Sequence, residues 1–176
     1  ASDIAQGMLD HVAREAGTLG VKNIEVLLGA AETLEVPERS LDAAVCRFGL
    51  MLFPDPDAAM TGLRRALRPG AGVAAAAFTR PQGNALFSSA LSILMRHGGK
   101  QPPPPGQPGL YALGAPGLLE GVMIRSGYVD YGQEILNVPL KFGPPIEVLT
   151  MIQEAYGAYR AMIADRTPEE QEAAWA

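Results

Sequence analysis

The chain has 176 residues, of which 48% are hydrophobic and 19% are charged, and its formal net charge is -5. This length suits one domain of ordinary size with a substantial core. An acidic chain is not typical of nucleic-acid binders, because their affinity depends on neutralising phosphates with Lys and Arg. No stretch approaches the roughly 18 uninterrupted apolar residues of a membrane span. We therefore expect neither a nucleic acid nor a membrane as partner.

Cys46 is the single cysteine, and the chain has only two histidines. One cysteine cannot form an internal disulfide, and so few potential ligands do not suggest a metal cluster. No basic segment followed by an apolar stretch marks a secretion signal at the start of the sequence. These features favour a cytoplasmic protein without a bound metal.

Hydrophobic spacing and capping residues predict the order of helices and strands. Helices are expected over 6–19, from Pro56 to a stop at 69–70, and over 84–97, 116–126 and 145–164. Buried strands are expected over 23–28, 41–48 and 73–79, and an antiparallel strand pair after Tyr128, where apolar residues alternate over 136–142. Residues 167–170 form a capping box that starts a last helix.

Alternation of helices and strands is typical of the α/β class, in which a mostly parallel sheet is covered on both faces. In such sheets, ligands bind at the carboxyl ends of the strands. The segments that follow the predicted strands are therefore the candidates for a functional site.

The N-terminal half resembles class I S-adenosylmethionine-dependent methyltransferases, in a small-molecule branch of that family. The resemblance rests on five segments in the order typical of the family, residues 3–9, 29–37, 41–45, 48–55 and 65–70. It implies a Rossmann-like sheet with flanking helices, S-adenosylmethionine as cofactor and a small molecule as methyl acceptor.

The resemblance also implies residues that hold the adenosine part of the cofactor. Asp3 would accept hydrogen bonds from the ribose hydroxyls, and Ile4 and Met8 would pack against the adenine faces. The backbone of Ala31 would meet the adenine edge, with Glu32 beside it.

Other residues would lie near the methionine part of the cofactor or near the substrate. Arg47 and Phe48 leave the family's strand four beside the methionine group, and Phe53 is a weaker candidate for the substrate pocket. His97 is a second weak substrate candidate and, like His11, a candidate general base without motif support. The sequence identifies no catalytic residue.

Two departures from the family pattern concern the cofactor. Ala30, counted among the cofactor-binding positions, stands where the family usually has an Asp that contacts the adenine amino group. The family's first strand and its Gly-x-Gly-x-Gly loop should precede Asp3, where this sequence has only Ala1 and Ser2. That strand is central in the family's sheet, so its absence separates strand three from strand four and bares two edges. Because bare edges pair with other chains, we expect a homo-oligomer completed by domain swapping, or a fragment of a longer protein.

We divide the chain into a cofactor-binding core over 1–79, a helical and Pro-rich substrate or lid insertion over 80–127, and strands and helices of the same domain over 128–176. The four prolines at 102–105 predict a stiff surface connector, with a lid over a ligand as the alternative.

Three functions remain open at this point. The first is methyl transfer to a small molecule, and the second is a non-catalytic, truncated relative that self-associates or binds a small molecule. The third, a hydrolase, rests on Ser88, Ser89 and His97, but the chain has no Gly-x-Ser-x-Gly elbow. We expect enzymatic activity of a full-length form rather than of a chain without the glycine-rich loop.

Overall fold

The computed structural model describes residues 1–101 and 107–176. The connector predicted at 102–105 lies outside this part. The chain divides into two compact units, the first made of Ala1–Ala77 and Pro108–Gly132, the second of Phe78–Gln107 and Gln133–Ala176. The first segment of the first unit ends at Ala77, two residues before the end expected for the cofactor-binding core. The insertion expected over 80–127 is divided between the two units.

The described part of the chain contains four strands, seven α-helices and two single-turn 3-10 helices, Leu50–Leu52 and Pro81–Gly83. The strands are β1 (Ser2–Asp3), β2 (Leu27–Leu28), β3 (Leu41–Arg47) and β4 (Leu67–Ala76). The helices are α1 (Gln6–Thr18), α2 (Pro56–Ala66), α3 (Ala85–Gly98), α4 (Leu118–Arg125), α5 (Pro145–Ala155), α6 (Gly157–Ala161) and α7 (Pro168–Trp175).

All four strands belong to the first unit, where they form two separate parallel pairs. In the first pair Asp3 lies opposite Leu28, and in the second Cys46 lies opposite Ala75. Among the described residues no hydrogen-bonded strand joins β1 to β3. The α/β class and the incomplete parallel sheet are thus confirmed, although the strand predicted over 23–28 is reduced to Leu27–Leu28.

The core of the first unit lies on one face of the β3–β4 pair. Its buried cluster consists of Leu50 after β3, Met60 of α2, and Leu119, Val122 and Met123 of α4. Cys46, Val73 and Ala75 pack against this cluster from the strands. Helix α4 is held on α2 by a two-pronged ion pair from Arg125 to Asp57, with nitrogen–oxygen distances of 2.7 and 3.0 Å.

Aromatic side chains organise the second unit. The rings of Phe78, Phe87, Tyr156 and Tyr159 follow one another with centroids 5.4 Å apart. The hydroxyl of Tyr159 donates to the carbonyl of Phe87 over 2.9 Å, which links α6 to α3. Ile152 and Ile163 are buried in the same unit, as the helical spacing of the sequence predicts.

Three predicted elements differ from the structure. No strand forms between Tyr128 and Pro144, and Leu136, Val138 and Leu140 remain exposed, so the antiparallel pair was a wrong prediction. An isolated pair of strands is unstable without a third strand or a packed helix. The helix predicted over 145–164 is broken at Tyr156, whose non-helical backbone places its ring in the aromatic row.

The third difference concerns the turn after α2. The helix ends at Ala66, and Pro69 and Gly70 lie within β4 instead of stopping the helix. Pro69 is tolerated because β4 departs from regular pairing there: Leu41 lies opposite Leu67, whereas Ala43 lies opposite Gly72.

Candidate cofactor site

Asp3 lies at the carboxyl end of β1, directly before helix α1. Its Oδ1 accepts a hydrogen bond from the backbone N–H of Ala5 over 2.8 Å. Its backbone carbonyl accepts from the N–H of Gly29 over 3.1 Å, which holds the loop after β2 beside Asp3. Within the described part of the chain, Oδ2 of Asp3 has no hydrogen-bond partner. One carboxylate oxygen is thus engaged in starting the helix, and the other can accept a further donor.

Ile4 directly follows Asp3, Met8 lies in the first turn of α1, and both side chains have most of their surface in solvent. Ile4 is 75% exposed and Met8 is 54% exposed, whereas Leu9, on another side of the same helix, is buried. Met8 is therefore not part of the core, which is the alternative role for a methionine on an amphipathic helix. The two side chains provide apolar surface beside Asp3.

The loop after β2 carries Ala30, Ala31 and Glu32, all half-buried. The carbonyl of Ala30 accepts from Thr33, which closes a tight turn. The N–H of Ala31 donates to no acceptor among the described residues. A backbone donor is thus available at the position where the resemblance places the adenine edge.

Glu32 joins the two strand pairs at their carboxyl ends. Its Oε1 accepts from the backbone N–H of Asp55 over 3.2 Å. Asp55 in turn caps α2, because its Oδ1 accepts from the N–H of Ala58 over 2.9 Å. The sequence predicts the cap, a local pattern, but not the bond between Glu32 and Asp55, which lie 23 residues apart.

Arg47 is the last residue of β3, and Phe48 follows it at the carboxyl end of the strand. The N–H of Phe48 donates to the carbonyl of Ala76 over 2.9 Å, and Phe48 has a φ of 60°, in the left-handed region that side chains rarely adopt. The guanidinium carbon of Arg47 lies 5.9 Å from the centroid of the Phe48 ring. Among the described residues, no carboxylate forms an ion pair with Arg47. It is therefore a cation held against an aromatic face at the strand end.

Phe53 follows β3 and is half-buried against the core cluster of the first unit. Its ring lies at an ordinary contact distance of 3.6 Å from the position that a side chain on Gly49 would occupy, whereas Sγ of Cys46 lies closer, at 3.1 Å. This packing gives Phe53 a structural role, and its proposed contact with substrate stays a prediction.

The histidines lie apart from these residues in the chain. His97 is exposed on the last turn of α3, in the second unit, and His11 is exposed on α1, with its Nδ1 3.5 Å from Arg14. Within residues 1–101 and 107–176, no carboxylate contacts either imidazole to orient it as a base. Ser88 donates to the carbonyl of Ala85 within its own helix, an arrangement that does not activate a hydroxyl.

Over residues 1–101 and 107–176, no three His, Cys, Asp or Glu side chains are grouped as metal ligands. In the same part of the chain, every helix is too short or too polar to cross a bilayer.

Comparison with known proteins identifies what the N-terminal segments resemble. Residues 1–70 match a family described as "Methyltransferase domain". The chain is 33% identical over 79 residues to aklanonic acid methyltransferase DauC from Streptomyces sp. (strain C5). This match covers 45% of the chain and 34% of DauC, so the chain spans about a third of the length of its curated relative. The resemblance to class I S-adenosylmethionine-dependent methyltransferases is confirmed for the N-terminal segments that carry it.

A solved structure shows a similar fold over most of the chain. The YcgJ protein of Bacillus subtilis superposes with a TM-score of 0.57 at 18% sequence identity, covering 91% of this chain and 69% of YcgJ. At this identity, the similarity concerns the fold alone.

Proposed function

We propose that the protein transfers a methyl group from S-adenosylmethionine to a small organic molecule. The observation that carries the proposal is the arrangement of Asp3, Ala31 and Glu32. The hydrogen bonds from Gly29 to Asp3 and from Asp55 to Glu32 gather these residues at the carboxyl ends of the strands. The match of residues 1–70 to a methyltransferase domain supports the same activity.

The residues present fit the adenosine half of the cofactor. The free Oδ2 of Asp3 can accept from a ribose hydroxyl, and the N–H of Ala31 can donate to the adenine edge. Ile4 and Met8 offer exposed apolar surface for the adenine ring, a role to which a flexible methionine is well suited. Ala30 supplies no polar side chain, so the adenine amino group would lack the contact that an Asp gives there in the family.

When bound, S-adenosylmethionine supplies an electrophilic methyl group attached to a positively charged sulfur. The residues of this chain contribute binding and orientation, which account for much of the rate in transfers of this kind. Arg47 and Phe48 end β3 at the same edge and would border the methionine side of the cofactor. No side chain among the described residues has the contacts of a general base.

The name of one relative supports a small organic molecule as methyl acceptor. DauC is named as a methyltransferase of aklanonic acid, a small molecule. Arg47 is a candidate for holding an acidic group of such an acceptor, since no carboxylate of the chain pairs with it. The composition of the chain, with a net charge of -5, does not favour a nucleic acid as acceptor.

Calorimetric titration of S-adenosylmethionine into the wild-type chain and into Asp3→Ala tests the proposal. We expect the variant to bind at least about tenfold more weakly, because hydrogen bonds to a charged group contribute roughly 1.5–3 kcal/mol each. Asp10→Ala, the same change on the exposed side of α1, is the matched control and should leave the affinity unchanged. Equal affinities of wild type and Asp3→Ala would contradict the assigned site.

The non-catalytic alternative has one observation in its favour. Among the described residues, no strand joins the β1–β2 pair to the β3–β4 pair. Incubation with methyl-labelled cofactor and a panel of small aromatic acids and phenols separates the two functions. Cofactor binding without any labelled product would favour the non-catalytic protein.

A further inference from the structure

The loop after β2, residues 29–33, is held in shape by contacts within the first unit. The N–H of Gly29 donates to the carbonyl of Asp3 over 3.1 Å, which ties the start of the loop to β1. The N–H of Thr33 donates to the carbonyl of Ala30 over 3.1 Å and closes the turn. Cδ1 of Leu34 lies 3.0 Å from the position that a side chain on Gly29 would occupy, so it packs against the start of the loop. These contacts hold the remaining polar groups of the loop in place.

Few polar groups of this loop remain for a ligand. Gly29, Ala30 and Ala31 have no polar side chain. The N–H of Ala31 has no acceptor in the described part of the chain, so it is an available donor. Oε1 of Glu32 accepts from the N–H of Asp55 over 3.2 Å, which holds this carboxylate at the start of α2. The loop therefore offers a fixed backbone donor at position 31 and no acceptor side chain at position 30.

The edge of an adenine ring has two groups that such a loop can recognise. Ring nitrogen N1 accepts hydrogen bonds, and the 6-amino group donates them. The N–H of Ala31 can pair with N1. The family resemblance places an Asp at position 30 to accept from the amino group, whereas Ala30 has a half-buried methyl group there. A site that makes no hydrogen bond to a group discriminates weakly against ligands that lack it.

We propose that Ala30 sets the cofactor specificity of the site, which accepts adenosine ligands whose 6-amino group carries alkyl substituents. The ligand class is adenosine and S-adenosylmethionine substituted on that nitrogen. The N–H of Ala31 still requires a ring nitrogen N1 without a hydrogen, so the site rejects hypoxanthine, which carries a hydrogen there. The inference rests on the proposed function, because that function places the adenine ring against the loop after β2.

Calorimetric titrations of adenosine, 6-dimethylaminopurine riboside and inosine into the wild-type chain test this specificity. The riboside is adenosine with both amino hydrogens replaced by methyl groups. We expect its dissociation constant to lie within about threefold of that of adenosine. Inosine should bind at least about tenfold more weakly than adenosine, because its N1–H and the N–H of Ala31 are both donors and leave each other unpaired.

Ala30→Asp adds the missing acceptor. It should strengthen the binding of adenosine about tenfold, since hydrogen bonds to a carboxylate are strong, and should leave the dimethylated riboside without this gain. Ala13→Asp, the same change at an exposed position of α1, is the matched control. It should keep the ratio of the two affinities found for the wild type.

Two results would overturn the inference and leave the proposed function standing. The first is a wild-type chain that binds adenosine at least tenfold more tightly than the dimethylated riboside, because another group, such as the carboxylate of Glu32, would then hold the amino group. The second is an Ala30→Asp chain with the affinity ratio of the wild type. Absence of adenosine binding to the wild type would instead contradict the proposed function, and the inference would fall with it.

Discussion

At the scale of single residues, Tyr128 connects the segment after α4 to helix α2. Its hydroxyl donates to the carbonyl of Met60 over 3.1 Å, and its ring packs against the core cluster. Burial raises the pKa of Tyr128 to about 12, an effect that nearby Arg64 partly opposes. The neutral phenol is therefore favoured more in the folded chain than in the unfolded chain.

This shift predicts a loss of stability in alkaline solution. The contribution of Tyr128 is fully present below its unfolded pKa of about 10 and disappears as the pH rises towards about 12. Urea unfolding of wild type and Tyr128→Phe over this range measures it. The variant should be less stable at neutral pH by about 1 kcal/mol, the value of one hydrogen bond, and the difference should shrink at high pH.

Burial also raises the pKa of Tyr131, so the stability of the wild type alone does not isolate Tyr128. The difference in unfolding free energy between wild type and Tyr128→Phe does. Tyr131 contributes equally to wild type and variant, so it cancels in their difference. A difference that stays constant from neutral pH to pH 12 would show that burial does not raise the pKa of Tyr128.

At the scale of elements, helix α7 depends on its capping box. Oγ1 of Thr167 accepts from the N–H of Glu170 over 3.3 Å, and the carboxylate of Glu170 accepts from the N–H of Thr167 over 2.9 Å. The helix has only eight residues, and Ala174 is its one buried side chain. A helix of this length has little stability of its own, so its cap matters.

Thr167→Ala should therefore lower the free energy of unfolding by about 1 kcal/mol, because it removes the side-chain acceptor at the cap. Thermal unfolding followed by circular dichroism measures the change. Glu172→Ala, an exposed position later in the same helix, is the control and should have little effect. Equal unfolding temperatures for Thr167→Ala and the control would show that the cap does not support α7.

Local signals in the sequence predict these elements well. The capping box at Thr167 and the cap at Asp55 depend on residues a few positions apart, and both form as predicted. The strand pair after Tyr128 fails although its alternation of apolar residues is clear. Strands depend on partners distant in sequence, and no strand is available to residues 136–142 in the described part of the second unit.

At the scale of the whole molecule, the order of the strands was predictable and the contacts between loops were not. The family resemblance indicates where the sheet is interrupted, and the structure confirms two unconnected parallel pairs. The bond from Glu32 to Asp55 and the left-handed backbone of Phe48 have no local signature. The bond joins segments that follow two different strand pairs of the first unit.

We propose that residues 3–32 form the adenosine half of a cofactor site. Parallel titrations with S-adenosylmethionine, adenosine and methionine test it most directly. The contacts assigned to Asp3, Ile4 and Ala31 all lie on the adenosine half, whereas only Arg47 and Phe48 border the methionine half. Adenosine should therefore bind within about tenfold of S-adenosylmethionine, methionine alone should not bind detectably, and Asp3→Ala should weaken both adenosine ligands alike. Binding of methionine without adenosine, or no effect of Asp3→Ala on adenosine, would contradict the account.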